Sequence, residues 1–210
     1  ERGVEILTSV NVEAAEEGAS GWRLGLSSGR RLEGDLVLVA VGAAARTELA
    51  AGCGLETAQV GILVDDYGAT DDPAVFVAGE AAFHLNAFRT ARERQENWSH
   101  GAAHGAHVGA ALFGRGEPYS ELGGYWSDQY DIHLKTIGAP FGDSDVIRGS
   151  PAEGRFVIYH LQDGVVVGAS AVNAPRELRR AQSLVRNRAR PDPNRLADPA
   201  VDLARVSLAA

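Results

Sequence analysis

Apolar and polar positions alternate in short runs at both ends of this chain, and one long helical pattern lies near its middle. Trp22-Arg23-Leu24-Gly25-Leu26 sets apolar residues two apart, the period of a half-buried strand. Val4-Glu5-Ile6-Leu7 opens another strand, and Ser27-Ser28-Gly29-Arg30 reads as a hairpin turn. Asp35–Gly42 is an unbroken apolar run of strand length, as in a strand covered on both faces. A short helix over Thr47–Ala51, closed by Gly52 and Gly54, leads to a strand at Val60–Val64. Polar turns at Asp65–Gly68 and Asp71–Pro73 precede a strand, Val75–Glu80, that runs into Gly79. Helical spacing then holds from Glu93 to Phe113 and stops at Gly114 and Gly116.

Beyond Pro118 the pattern changes. Five strands follow, at Tyr125–Tyr130, His133–Ile137, Val146–Gly149, Phe156–Leu161 and Val165–Val172. Asp163-Gly164 marks a tight hairpin between the last two. Pro175 starts a helix that reaches about Asn187, and the Pro-rich tail beyond it reads as irregular. The chain therefore divides into two units, about 1–116 and 117–210.

Composition narrows the classes. The 210 residues carry 20 basic and 28 acidic side chains, for a net charge of −8, which argues against general nucleic-acid affinity. The one cysteine excludes a disulfide framework, a Cys-rich zinc site and a Cys-x-x-Cys redox pair within the chain. No apolar run approaches the roughly 20 residues of a membrane helix, so a soluble, cytoplasmic protein without a membrane partner is expected. Glu1-Arg2-Gly3-Val4 does not resemble a signal peptide. A chain with no methionine is expected to lack the first residues of its reading frame.

Four features could carry chemistry. Gly79 and Glu80 end a strand, where a carboxylate at the carboxyl edge of an α/β sheet can meet ligand hydroxyls; a plain solvated strand end is the alternative. In the helix after them, Gly101, Gly105 and Gly109 share one face. Together they cost about 3 kcal/mol against alanine, so close packing on a sheet, a helix or a cofactor should offset them. The backbone N–H groups at the start of that helix, near Glu96-Asn97-Trp98, suit an electron-rich ligand atom. His100, His104 and His107 share one helical stripe, but one stripe cannot converge on a metal, so ordinary helix-face histidines are expected. Finally, seven arginines between Arg176 and Arg195 form a strip of net +5 on a body of −13, which suits an acidic partner or simply a solvated face.

Taken in order, these pieces resemble the C-terminal half of the flavin-dependent NAD(P)H:ferredoxin and rubredoxin reductases that feed dioxygenases and cytochrome P450 systems. The resemblance rests on Thr47–Ala50, Gly54-Leu55, Gly61–Asp65, Tyr67–Pro73, Val75–Glu80 and Arg94–Trp98 with His104-Gly105. In the second unit it rests on Tyr125–Asp131, Asp163-Gly164, Gly168-Ala169, Val172–Glu177 and Leu196–Pro199. It implies an α/β remnant of FAD- and NAD(P)-binding domains followed by an α+β C-terminal reductase domain with an antiparallel sheet. Residues 1–42 would end the NAD(P)H-binding domain, 43–116 return to the FAD-binding domain, and 117–210 form the flavin-facing, partner-docking domain.

The resemblance also implies a reaction. NAD(P)H reduces FAD, and electrons leave singly to a ferredoxin, with no catalytic acid or base. Flavin contacts would come from Gly79, Glu80, Glu96, Asn97, Trp98 and Trp126. Ferredoxin docking would use Arg176, Arg179, Arg180, Arg186 and Arg188. Position 80 is Asp in the family, and Glu80 is one methylene longer. The family's Pro and Asn after Val-Gly are absent beyond Val41-Gly42, and its usual Arg before Thr70 is Ala69. No Gly-x-Gly-x-x-Gly follows a strand anywhere, so both dinucleotide fingerprints would lie upstream of Glu1. The competing expectation is therefore a non-catalytic docking or homodimerisation module.

Overall fold

A computed structural model describes residues 3–88, 91–114 and 116–208 and resolves two compact units, Glu1–Ala43 and Ala44–Ala210. The first unit is a three-stranded antiparallel meander, β1 (Val12–Gly18), β2 (Gly21–Leu26) and β3 (Arg31–Gly34). The Trp22–Leu26 strand and the turn after it are where the alternation places them. β1 was not legible. Its VEAAEEG run has one strand former, Val12, and every residue in it is exposed.

Two expected strands of this unit do not form. Val4–Leu7 is irregular, and Glu5 instead makes a two-pronged ion pair with Arg30 at 2.6 and 2.8 Å. Asp35–Gly42 also lacks strand structure, with Leu36 82% and Val41 89% exposed. An apolar run becomes a strand only when neighbouring strands accept its backbone hydrogen bonds, and none of the described residues does so here.

The second unit begins with α1 (Glu48–Gly52), followed by a small mixed sheet. Its strands are β4 (Thr57–Ala58), β5 (Gly61–Leu63), β6 (Ala82–Asn86) and β7 (Ala91–Glu93), in spatial order. β5 and β6 are parallel, and the outer pairs are antiparallel. The long helix α2 spans Trp98–Ala111, not Glu93–Phe113. Its start is set by the Asn97 cap, and Glu93 belongs to β7.

A five-stranded antiparallel sheet follows, in the order β10 (Ser144–Ser150), β11 (Arg155–Gln162), β12 (Val165–Val172), β9 (Ile132–Gly138) and β8 (Trp126–Gln129). All five expected strands are present. Asp163 (φ 51°) and Gly164 (φ 75°) both take left-handed backbone, the primed turn that their sequence encodes.

Helix α3 (Pro175–Arg186) covers one face of this sheet. Leu178, Ala181, Leu184 and Val185 recur at helical spacing and are buried against Val157, Tyr159, Ala169 and Ala171. Each large side chain in this core contributes about 1.5–3 kcal/mol. The tail is ordered rather than irregular. It forms α4 (Pro193–Ala197) and a 3-10 turn, Leu203–Leu208, and buries Leu196, Leu203 and Val206 in the same core. Arg148, itself buried, pins it by donating to the carbonyls of Leu196, Asp198, Pro199 and Val201 at 2.7–3.2 Å. No helix among the described residues is long and apolar enough to cross a membrane.

Candidate cofactor and partner site

The segment before Gly79 is not the strand its residues suggest. Phe76 makes one bridge to Ala69, and the Val77 N–H donates to Gly68. Gly79 then turns the chain at φ +75°, a left-handed conformation that breaks any ladder and that glycine alone adopts freely. A 3-10 turn over Gly79–Ala81 carries Glu80 into solvent before β6 begins at Ala82.

This turn is held on α2. A Cβ on Gly79 would lie 3.8 Å from the Gly101 Cα, and the Gly79 N–H donates to His104 Nδ1 at 3.0 Å. From the other side, Arg94 Nε donates to the Glu80 carbonyl at 2.8 Å. The Arg94 guanidinium also pairs with Glu96 at 2.6 Å, so Glu96 and Glu80 are tied to one arginine.

Asn97 caps α2. Its Oδ1 accepts the His100 N–H at 2.8 Å, which leaves the Trp98 and Ser99 N–H groups ahead of the first helical bond. Asn97 Nδ2 is buried without a partner, and the Trp98 side chain is 76% exposed. Cβ atoms built at Gly101, Gly105 and Gly109 would meet nothing within 4 Å among the described residues outside the helix itself.

The histidines are not a solvated face. His100 and His104 are buried, with the unforeseen partners His84 of β6 and Tyr119. The His84, His100 and His104 ring centroids form a triangle 4.9–5.1 Å on a side. Burial, reinforced by His84, lowers His100 to about 4 and His104 to about 3. Burial also pushes the Tyr119 phenol up to about 12. Among the described residues no group of three or more His, Cys, Asp or Glu could hold a metal. The histidine spacing signalled one face, but only the tertiary contact with β6 turned that face inward.

On the larger sheet, Trp126 stands at the start of β8, opposite Lys135, and is 53% exposed. Asp128, His133, Lys135, Ala171, Asn173 and Pro175 line an open cavity of about 450 Å³ beside the start of α3. The Asp128 carboxylate meets His133 Nδ1 there at 2.8 Å. A smaller cleft of about 140 Å³ brings Arg94 and Gln95, the lead-in to α2, against Gly123 and Tyr125, the lead-in to β8. Thus Gly79, Glu80, Glu96, Asn97 and Trp98 gather around the first turn of α2, whereas Trp126 lies on β8 and does not line this cleft. Arg176, Arg179, Arg180, Arg186 and Arg188 are all exposed. The four within α3 follow 3, 4 and 7 spacings on its outward stripe. Arg186 reaches Glu121 at 3.4 Å.

A glycine turn carrying a carboxylate is set on a helix start, ahead of a separate antiparallel sheet. The chain belongs to the pyridine nucleotide-disulphide oxidoreductase family, whose model matches residues 1–105, and residues 125–207 match the reductase C-terminal family.

Its relatives narrow the comparison. It is 37% identical over 97% of its length to the ferredoxin–NAD(+) reductase component of the anthranilate 1,2-dioxygenase system of Burkholderia cepacia, of which it covers 50%. Among solved structures it is similar to the ferredoxin reductase for the CYP199A2 system of Rhodopseudomonas palustris, at 31% identity and a TM-score of 0.85 over 94% of this chain and 49% of that one. It is also similar to putidaredoxin reductase in its covalent complex with putidaredoxin, at 29% identity and a TM-score of 0.88 over 97% and 50%. The chain spans about half the length of these relatives.

Proposed function

We propose that this chain is part of a flavoprotein that passes electrons from NAD(P)H through FAD to a small iron–sulphur ferredoxin serving an oxygenase in the cytoplasm. The observation that carries this reading is the Gly79–Ala81 turn seated on the first turn of α2. There the exposed Glu80, the uncommitted Trp98 and Ser99 N–H groups and a bare glycine face all border open space.

The residues present fit a flavin. Glu80 supplies an acceptor for its polyol chain. Gly79 and Gly101 permit close backbone approach, and the helix start favours an electron-rich ring atom. Asn97 Nδ2 has no hydrogen-bond partner within the chain. Glu96, paired with Arg94, keeps that segment in place. Trp126 offers a flat apolar ring from the second sheet. Bound FAD supplies the change from two-electron uptake to one-electron release, and the protein positions it and excludes water.

In this reading residues 1–42 close the NAD(P)H-binding domain, 43–116 belong to the FAD-binding domain, and 117–210 meet the partner. The outward arginines of α3 give that last part a cationic strip suited to an acidic ferredoxin. The direct experiment is flavin titration of the purified chain, followed by absorbance and fluorescence quenching. Uptake of one FAD, weakened about 10-fold by Glu80→Gln, is the expected result. A colourless chain that takes up no added FAD would overturn the reading and leave a docking or dimerisation module.

A further inference from the structure

His104 is fully buried in α2 and accepts the Gly79 N–H at 3.0 Å. We propose that His104 is a positioning residue for the flavin site, holding the Gly79–Ala81 turn, and with it Glu80, by accepting the Gly79 N–H at Nδ1. The flavin part of this inference rests on the function proposed above.

The bond at 3.0 Å constrains the chemistry of the ring. A backbone N–H can only donate, so Nδ1 must carry a lone pair and the proton of a neutral His104 must sit on Nε2. An imidazolium has two donors and no acceptor, so protonation removes this bond and opposes the Gly79 N–H with another N–H. The tether therefore exists only while the ring is neutral.

The surroundings keep it neutral. The side chain is fully buried. The groups facing it are His84 from β6, His100 and His107 from its own helix, and the Tyr119 phenol from the segment after α2. Burial acts first, then the three neighbouring imidazoles, and all of them disfavour a charge. His84 Nδ1 donates to the Leu85 carbonyl at 3.0 Å. His104 presents N–H at Nε2, and both Nε2 atoms are buried without a partner. His104 is thus packed among buried rings and reaches out of them to the turn that carries Glu80.

The test uses the 210-residue chain with two variants. His104→Leu keeps the apolar bulk and removes the acceptor, whereas His104→Asn places an amide oxygen near the former Nδ1 position. Gly79 amide hydrogen exchange is read by NMR, alongside FAD affinity. His104→Leu is expected to speed Gly79 exchange by about 10-fold and to weaken FAD by a similar factor, and His104→Asn to restore both to within about 3-fold. Unchanged Gly79 exchange in the Leu variant, or an Asn variant no better than Leu, overturns the proposal. Should the Leu variant not fold, a nitrogen–nitrogen coupling between the Gly79 amide and His104 Nδ1 in the wild-type chain decides instead. Its presence at neutral pH supports the tether, and its absence sinks it. If the wild-type chain takes up no FAD, the flavin reading falls by itself, while exchange and coupling still decide whether His104 holds the turn.

Discussion

Replacing Arg148 by Met should loosen the C-terminal tail without emptying the core, because the methionine stem follows most of the arginine's path. The guanidinium donates four hydrogen bonds to tail carbonyls, two from each terminal nitrogen. Bonds from a charged donor contribute about 1.5–3 kcal/mol each, so four independent ones would give a large loss. They are not independent. The substitution also abolishes the cost of desolvating a buried charge, and Asp198 and Pro199 are exposed, so water can satisfy their carbonyls. The expected net loss is about 3–4 kcal/mol. In a unit of this size each kcal/mol lowers Tm by about 2–4 °C, so calorimetry should record a drop of about 6–16 °C. Hydrogen exchange should show the loss concentrated at Leu196–Val206, where the released tail carries Leu196, Leu203 and Val206 out of the core. A loss below about 1 kcal/mol, or one spread evenly over α2 and the smaller sheet, would refute the view of Arg148 as the clasp of the tail.

Other outcomes follow from the same geometry. His100 and His104 titrate lower in the folded chain than in the unfolded one, so the unfolded state binds more protons in acid. Stability should be flat above about pH 6.5 and fall as pH drops from there through about 4 toward 3, and a Tm that stays level over that window would contradict a buried neutral stack. Reversing Arg179 and Arg180 to Glu should weaken ferredoxin binding at low salt and flatten its salt dependence, read by titration calorimetry at several ionic strengths. These two side chains are exposed on α3, so Tm should move by no more than about 0.5 kcal/mol equivalent. Asn97→Ala should cost about 1 kcal/mol of stability through the lost cap and should raise exchange in the first turn of α2, measured by denaturant titration and NMR.

Much of the larger sheet was legible because its signals are local. The five strands, the Asp163-Gly164 turn and the amphipathic α3 each depend on the period of a few neighbouring residues. Signals failed where the outcome depended on a partner. Asp35–Gly42 has every mark of a covered strand, yet no strand among the described residues pairs with it. β1 has few of the marks and pairs anyway, because β2 offers it a ladder. The glycine and carboxylate at positions 79 and 80 were visible as a candidate site, but the strand drawn up to them was not there, since a left-handed Gly79 ends extended pairing before β6 begins. His84 and Tyr119 lie too far from α2 in sequence for any spacing rule to connect them to His100 and His104.

The sequence by itself determined the local periods, the turn chemistry, the charge split between an acidic body and an arginine-faced helix, and the order of motifs that marks the family. Those properties rest on near neighbours, and near neighbours are written side by side. The tertiary structure alone decided which way the histidine stripe faces, that Arg148 spends its charge on the tail, and that the Gly79 turn hangs from His104. Each of these depends on burial and on contacts between residues 12 to 53 positions apart, and residues at that separation meet only once the chain has packed.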